Sequence, residues 1–315
     1  MATFFSDDFG VSQETINRYG AFNVSLVNDL PLFIDPFLLF NSEKREYQAL
    51  HDAIIRYLVF LRDRSTAGPV DEGLLGLGYC FPEVKQNWFG FSVSGNSGSG
   101  LGMDFAHALH NNLHRLFADF GQEQITAGSH LEKVCLISDG VGRDNISDFT
   151  TNMILDYLCR YTERFASDHL RTADLRQVAV DKARFNYTTE SCERKRYRLP
   201  WINGGYVILT PKDMLTRDET WINKRDLIEE FEQIPVAIVD LQLRAQVNNY
   251  FYSALNRDRR REPTKKERAE AAIATVLKFP KLIDYYIKLK EQKGDEAVDV
   301  SSERCWPPNI SMCIS

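Results

Sequence analysis

The sequence predicts a mixed α/β fold, with an α/β region built on a small buried sheet followed by a mainly helical C-terminal region. Three observations predict it. Short β-type segments occur at residues 21–27, 133–138, 177–181 and 205–210. Apolar residues recur at three- and four-residue spacing over 42–64, 104–120, 223–256 and 267–292. The strand-like segments all lie before residue 215, which divides the chain into an α/β domain (1–215), a helical region packed on it (216–303) and an irregular tail (304–315).

The elements follow in order. Ala21-Phe-Asn-Val-Ser-Leu-Val27 alternates like a strand, and Leu30-Pro31-Leu-Phe-Ile-Asp35-Pro36-Phe-Leu-Leu-Phe40 reads as a buried extended connection, because proline blocks both helix continuation and ladder pairing. Tyr47, Leu50, Ile54, Leu58 and Leu61 form the stripe of an amphipathic helix. Residues 65–102 are rich in glycine and serine, and Asp104–Phe120 returns to helix spacing. The run Lys133–Ser138 is short and apolar, the pattern of a buried strand; it leads into a turn and a helix from about Ser147 to Phe165, with Ser147 or Asp148 as its cap. Gln177–Asp181 and Gly205–Thr210 read as further strands, and Arg257–Thr264 as a linker between the last helices.

Composition narrows the class. With 43% apolar and 26% charged residues over 315 positions, the chain is ordinary globular material with enough length for a sizeable core. No apolar run approaches the roughly 20 residues that cross a bilayer, so no membrane partner and a cytoplasmic location are expected. Six scattered cysteines without a Cys-x-x-Cys pair read as reduced thiols, with Cys135 and Cys159 in the core. A net charge of −6 excludes a wholly basic coat, yet two local basic clusters exist. One runs from Lys182 to Arg198 and sets Arg184, Arg194, Lys195, Arg196 and Arg198 among Phe185, Tyr187 and Tyr197; the other runs from Arg257 to Arg268 and holds Arg257, Arg259, Arg260, Arg261, Lys265, Lys266 and Arg268. Cations interleaved with aromatics grip phosphate and stack on bases.

Four constellations carry candidate chemistry. Asp139, Asp144 and Asp148 lie close in sequence around a glycine-broken turn and are candidate ligands, Asp144 and Asp148 above all, for Mg²⁺ or Mn²⁺, ions that favour carboxylates plus water, with Glu83 or a histidine of the 107–114 helix as auxiliary base. His107, His110 and His114 share one sector of a helix and are an alternative metal set. Gly95, Gly98, Gly100 and Gly102 open onto a helix in the manner of a phosphate loop, but no Gly-Lys-Ser/Thr follows. Asp181 and Glu193-Arg194-Lys195 imitate the Asp…Glu-x-Lys spacing of restriction-type nucleases, although Glu190–Arg196 reads as a charged loop where a buried strand is needed.

The phrases Leu30-Pro-Leu-Phe-Ile-Asp-Pro-Phe-Leu-Leu, Gly140-Val-Gly-Arg-Asp-Asn-Ile-Ser-Asp-Phe-Thr-Thr-Asn and Leu282-Ile-Asp-Tyr-Tyr-Ile-Lys-Leu-Lys resemble the N-terminal portion of bacterial proteins of mobile and phage-defence loci. In those proteins a restriction-endonuclease-like domain follows. The resemblance covers most of residues 20–303 and implies a chain that stops near Glu303, before the nuclease part, with Cys305–Ser315 as the scar of a shortened frame. Two functions are therefore expected in order of preference. The first is a module that binds or senses DNA or RNA through its basic segments. The second is a metal-dependent phosphoester hydrolase using the aspartate turn, with nucleotide binding at the glycine loop below both.

Overall fold

The computed structural model describes residues 4–65, 72–90, 100–116, 123–137, 141–217, 219–255 and 261–301. Its architecture is mixed α/β, with small antiparallel sheets and a helical C-terminal region. Two short helices open the chain, α1 (Phe5–Phe9) and α2 (Gln13–Tyr19), the second capped by Ser12 accepting from the Thr15 amide. Residues 21–27 are largely buried but form no ladder; they touch neighbouring backbone only through isolated bridges at Ala21 and Ser25. The expected strand is thus an extended stretch.

The proline-bearing segment is also more ordered than expected. It splits into the strand β1 (Leu32–Ile34) and the helix α3 (Pro36–Phe40), because Pro36 falls at the first helical position, where its missing N–H costs nothing, and Asp35 caps the turn through the Phe37 amide at 2.9 Å. Helix α4 (Arg45–Ser65) matches its sequence stripe, with Tyr47, Ile54, Leu58 and Leu61 buried. Helices α5 (Glu72–Gly78) and α6 (Met103–Leu116) follow.

The run expected as a buried strand is instead the short helix α7 (Lys133–Ile137). Four apolar residues after a lysine carry no usable period, and here the backbone N–H groups of Val134 and Cys135 donate to the Leu131 and Glu132 carbonyls at 3.1 and 3.0 Å while Val134, Cys135 and Leu136 are buried. The single helix expected after it is two, α8 (Arg143–Met153) and α9 (Leu155–His169), broken at Ile154 (φ −103°, ψ 13°). Neither Ser147 nor Asp148 caps α8. Gly142 occupies the cap and donates its N–H to Asn145 Oδ1 at 3.0 Å, while Ser147 Oγ is buried and accepts from the Ile34 amide at 2.9 Å, pinning α8 to β1.

Strands β2 (Leu175–Asn186) and β3 (Ser191–Ile202) form a long antiparallel hairpin, extended by β4 (Gly205–Tyr206), with a register irregularity between Val180 and Arg184. Glu190–Arg196, expected as a charged loop, lies mostly in β3: its alternate residues Lys195, Tyr197 and Leu199 turn toward α9 while Arg194, Arg196 and Arg198 face solvent. Of 205–210 only the first two residues are paired in a ladder. Strand β5 (Leu215–Arg217) returns to pair with β1, Ile34 opposite Leu215.

The remaining helices are α10 (Lys224–Glu229), α11 (Leu241–Leu255), α12 (Lys265–Lys278) and α13 (Leu282–Gln292). Helix α12 begins with a reciprocal Thr264/Glu267 capping box. Helix α13 docks through Lys133 Nζ to Asp284 at 2.6 Å and Trp221 Nε1 to the Lys290 carbonyl at 3.0 Å. One continuous apolar cluster runs from Phe5 to Val300 and includes Cys135 and Cys159, as the sequence implied. Phe149 of α8, fully buried, meets Tyr57 of α4, Phe81 and Phe105 of α6 with ring centroids 5.8–6.2 Å apart. That contact brings the 80–84 segment against α8. No helix among the described residues is long and apolar enough to cross a membrane.

Candidate functional site

The acidic residues are assembled by two devices. Helical spacing puts Asp144, Asp148 and Asn152 on one face of α8, four residues apart. Asn152 Nδ2 then donates to the Pro82 carbonyl at 3.2 Å, which holds the neighbouring Glu83 alongside that face. Behind it, Phe81 and Leu101 exchange backbone hydrogen bonds at 3.0 and 3.2 Å, and Gly100 packs directly on the segment. A Cβ at Gly100 would stand 2.4 Å from the Glu83 nitrogen, and its φ of +68° favours glycine independently. Gly100 is thus a packing residue that positions Glu83.

Electrostatics marks this cluster. Burial, then the charges of Asp144 and Glu83, push the Asp148 carboxyl up from 3.8 to about 8. Glu83 is raised by burial and by Asp29 and Asp144, against the pull of the Lys85 ammonium 3.7 Å away. Asp144, at the solvent edge of α8, is also raised by the packing around its carboxyl, opposed by Arg143. Three mutually repelling carboxyls, each made more basic, form an arrangement that a proton or a cation relieves. Asp29 is a fourth member that sequence reasoning missed. It is brought in by a bridge between Leu30 and Phe89, a contact with no local signal in the sequence.

Beside the carboxylates lies a cavity of about 350 Å³ between α4 and the β2–β3 hairpin. Arg56 from α4 and Lys182 and Arg184 from β2 line it with Tyr57, Phe81, Phe185 and Tyr187. The Arg56 guanidinium lies 4.2 Å over the Tyr187 ring, and Phe185 makes edge contacts with Tyr57 at 4.8 Å and with Tyr187 at 5.0 Å. Lys182, in the left-handed region at φ 50°, donates to the Cys80 carbonyl at 2.9 Å and sits over Phe81. Neither Arg56 nor Arg184 makes an ion pair among the described residues. Asn152 and Phe81 belong to this wall, so the acidic stripe of α8 runs into the basic, aromatic cavity.

The other expected residues fare differently. Arg194 is paired with Asp181 at 2.9 Å and Lys195 with Asp156 at 3.1 Å, while Glu193 accepts from Asn186 at 2.6 Å, so the restriction-type constellation is dispersed into separate pairs. Arg196 and Arg198 are exposed on the outer face of β3. In the second basic cluster Arg261 is held bidentately by Glu267 at 2.6 and 2.8 Å and Arg268 by Glu232 at 3.0 Å, so these two cations are paired. Arg259 and Arg260 lie outside the described residues, as do Asp139, Gly95, Gly98 and the tail from 304. The Leu101 amide beside Gly100 is engaged by Phe81, and Gly102 caps α6, whose first turn already carries Asp104, an arrangement that does not suit a phosphate. His107 is exposed and His110 leans on Tyr79, with ring centroids 5.9 Å apart; the His114 side chain is outside the described set. Among the described residues no three His, Cys, Asp or Glu side chains stand ready to hold a metal ion.

Two further features are structural in character. Asp35, Glu132, His130 and His51 are enclosed beneath α3, with His130 bound to Glu291 at 2.9 Å and both imidazoles pushed down by burial. They join α3, α4, α7 and α13. A cavity of about 410 Å³ near α10 is lined by Glu219, Asp226 and Glu229, which are paired with Arg143, Lys290 and Arg225.

Neither a curated protein nor a solved structure matches the chain. A family match covers residues 10–223, a span that contains the whole carboxylate cluster and the basic cavity and ends before α10. The chain belongs to the family described as Domain of unknown function (DUF8370).

Proposed function

We propose that the chain binds a nucleic-acid strand in the cavity between α4 and the β2–β3 hairpin. The observation that carries this reading is the convergence of Arg56, Lys182 and Arg184 with Phe185 and Tyr187 on one cavity of about 350 Å³. Cations supply the phosphate contacts, and the aromatic edges and the Arg56–Tyr187 stack supply surfaces for unstacked bases. A duplex is too wide for a cleft of this volume, so the reading is of an unpaired strand. The setting in bacterial defence rests on the sequence resemblance alone.

The test is fluorescence anisotropy with labelled single-stranded DNA and RNA over a salt series. Binding should weaken steeply with salt, and Arg56→Glu and Arg184→Glu should each weaken it further while lowering the salt slope by about one. Affinity that is insensitive to both salt and these substitutions sinks the proposal.

A second reading is favoured by the raised Asp148 carboxyl: metal-assisted hydrolysis of a phosphoester in a strand held by the same cavity. Mg²⁺ or Mn²⁺ would sit on Asp144 and Asp148, ions that need only one or two protein carboxylates, with Glu83 as the base. Plasmid and RNA cleavage that requires the metal and is lost in Asp148→Asn, with folding retained, would establish it. Binding without cleavage under all metals leaves the first reading alone.

A further inference from the structure

Asn152 is 3% exposed and stands in the wall of the basic, aromatic cavity. Its Nδ2 is engaged twice, donating to the Asp148 carbonyl at 2.8 Å and to the Pro82 carbonyl at 3.2 Å. These two carbonyls fix the orientation of the amide, since an oxygen in the Nδ2 position would face two acceptors. Oδ1 is left buried with no hydrogen-bond donor. A buried acceptor without a donor is disfavoured in a folded protein, and a ligand that brings the donor is bound the more tightly for it.

Resting on the strand-binding reading above, we propose that Asn152 Oδ1 reads the base, and that the cavity selects a base bearing an exocyclic amino group. Three features of the wall specify this class. The aromatic side chains call for a flat, conjugated ligand, and Arg56, Lys182 and Arg184 for a phosphate attached to it. Besides the Tyr187 hydroxyl and the Cys192 thiol, the wall offers a base edge two acceptors, Asn152 Oδ1 and, at the rim, the Asp52 carboxylate, and of these Asn152 Oδ1 is the buried one without a donor. An exocyclic amino group, as on adenine or cytosine, donates to such atoms. Uracil and thymine carry no amino group; their one donor on that edge, N3–H, lies between two carbonyl oxygens that an acceptor repels.

The test compares ligands that differ by that group alone. Pentamers of adenine and of unsubstituted purine, and the corresponding 5′-monophosphates, are titrated by anisotropy competition against the full chain at fixed salt. A single hydrogen bond to a buried acceptor predicts about a tenfold preference for the adenine ligand, and Asn152→Ala should bring the ratio toward one. A preference in the pentamers alone assigns the site to a strand; a preference in the mononucleotides as well extends it to free nucleotide. Equal affinities for adenine and purine in the wild type overturn base reading while strand binding stands. No binding of any ligand overturns both. Because the wild-type comparison needs no substitution, misfolding of Asn152→Ala, read by circular dichroism, leaves the decision intact.

Discussion

Replacing Asp148 by asparagine should stabilise the protein in alkaline solution and do little in acid. Burial and the neighbouring carboxyls of Asp144 and Glu83 raise its folded-state pKa from 3.8 to about 8. The sign follows from proton counting: below about pH 4 folded and unfolded chains both hold the proton, and nothing is lost. Between pH 4 and 8 only the folded chain holds it, so stability falls as pH rises, and above pH 8 the full penalty of a buried, repelled carboxylate applies. At about 1.36 kcal/mol for each pH unit the ceiling is roughly 6 kcal/mol. Relaxation and water entry around a side chain that is not fully buried reduce this to about 2–4 kcal/mol. Urea unfolding of wild type and Asp148→Asn at pH 5, 7 and 9 measures it, with the variant gaining progressively toward pH 9. A difference that stays constant across the three values would show that the carboxyl is neither buried nor repelled as described, and would remove the ground for a cation at this cluster. Mg²⁺ added at pH 8 should raise the wild-type Tm and leave that of Asp148→Asn unchanged.

The other expectations concern the framework of the site. Gly100→Ala forces a Cβ to within 2.4 Å of the Glu83 nitrogen at a φ of +68° and should destabilise the fold by about 2–4 kcal/mol, read by thermal unfolding. Ser147→Ala removes the acceptor of the buried Ile34 amide and should cost about 1–3 kcal/mol, detectable as faster amide exchange at Ile34. Lys290→Met leaves Asp226 without its partner at 2.8 Å in a largely enclosed site and should cost about 3 kcal/mol by urea unfolding, an effect that Asp226→Asn in the same chain partly relieves. Thr264→Ala, which removes the cap of α12, should cost about 1 kcal/mol.

Much of the helical framework is legible in the sequence because amphipathic spacing over three or more turns is a strong local signal. Tyr47, Ile54, Leu58 and Leu61 of α4 show it directly, as do the capping-box residues Thr264 and Glu267. Where the segment is short the signal fails. Val134–Ile137 is apolar without a period and becomes helix by tertiary context, and the charged stretch Glu190–Arg196 lies mostly in a strand because it pairs with β2 and leads into Tyr197 and Leu199, which are buried.

The candidate chemistry divides in the same way. The sequence by itself determined the mixed α/β class, the close spacing of Asp144 and Asp148, and the cation–aromatic composition of the 182–198 segment, since each is a property of neighbours along the chain. Only the tertiary structure decided that Glu83 and Asp29 join those aspartates, that Arg56 of α4 completes the cavity, and that Arg268 of the second basic cluster is paired with Glu232. Those outcomes depend on contacts between residues tens to more than a hundred positions apart, such as the Asn152 bond to Pro82 and the Ser147 bond to Ile34. Such contacts arise from core packing around Phe149, which no local pattern encodes.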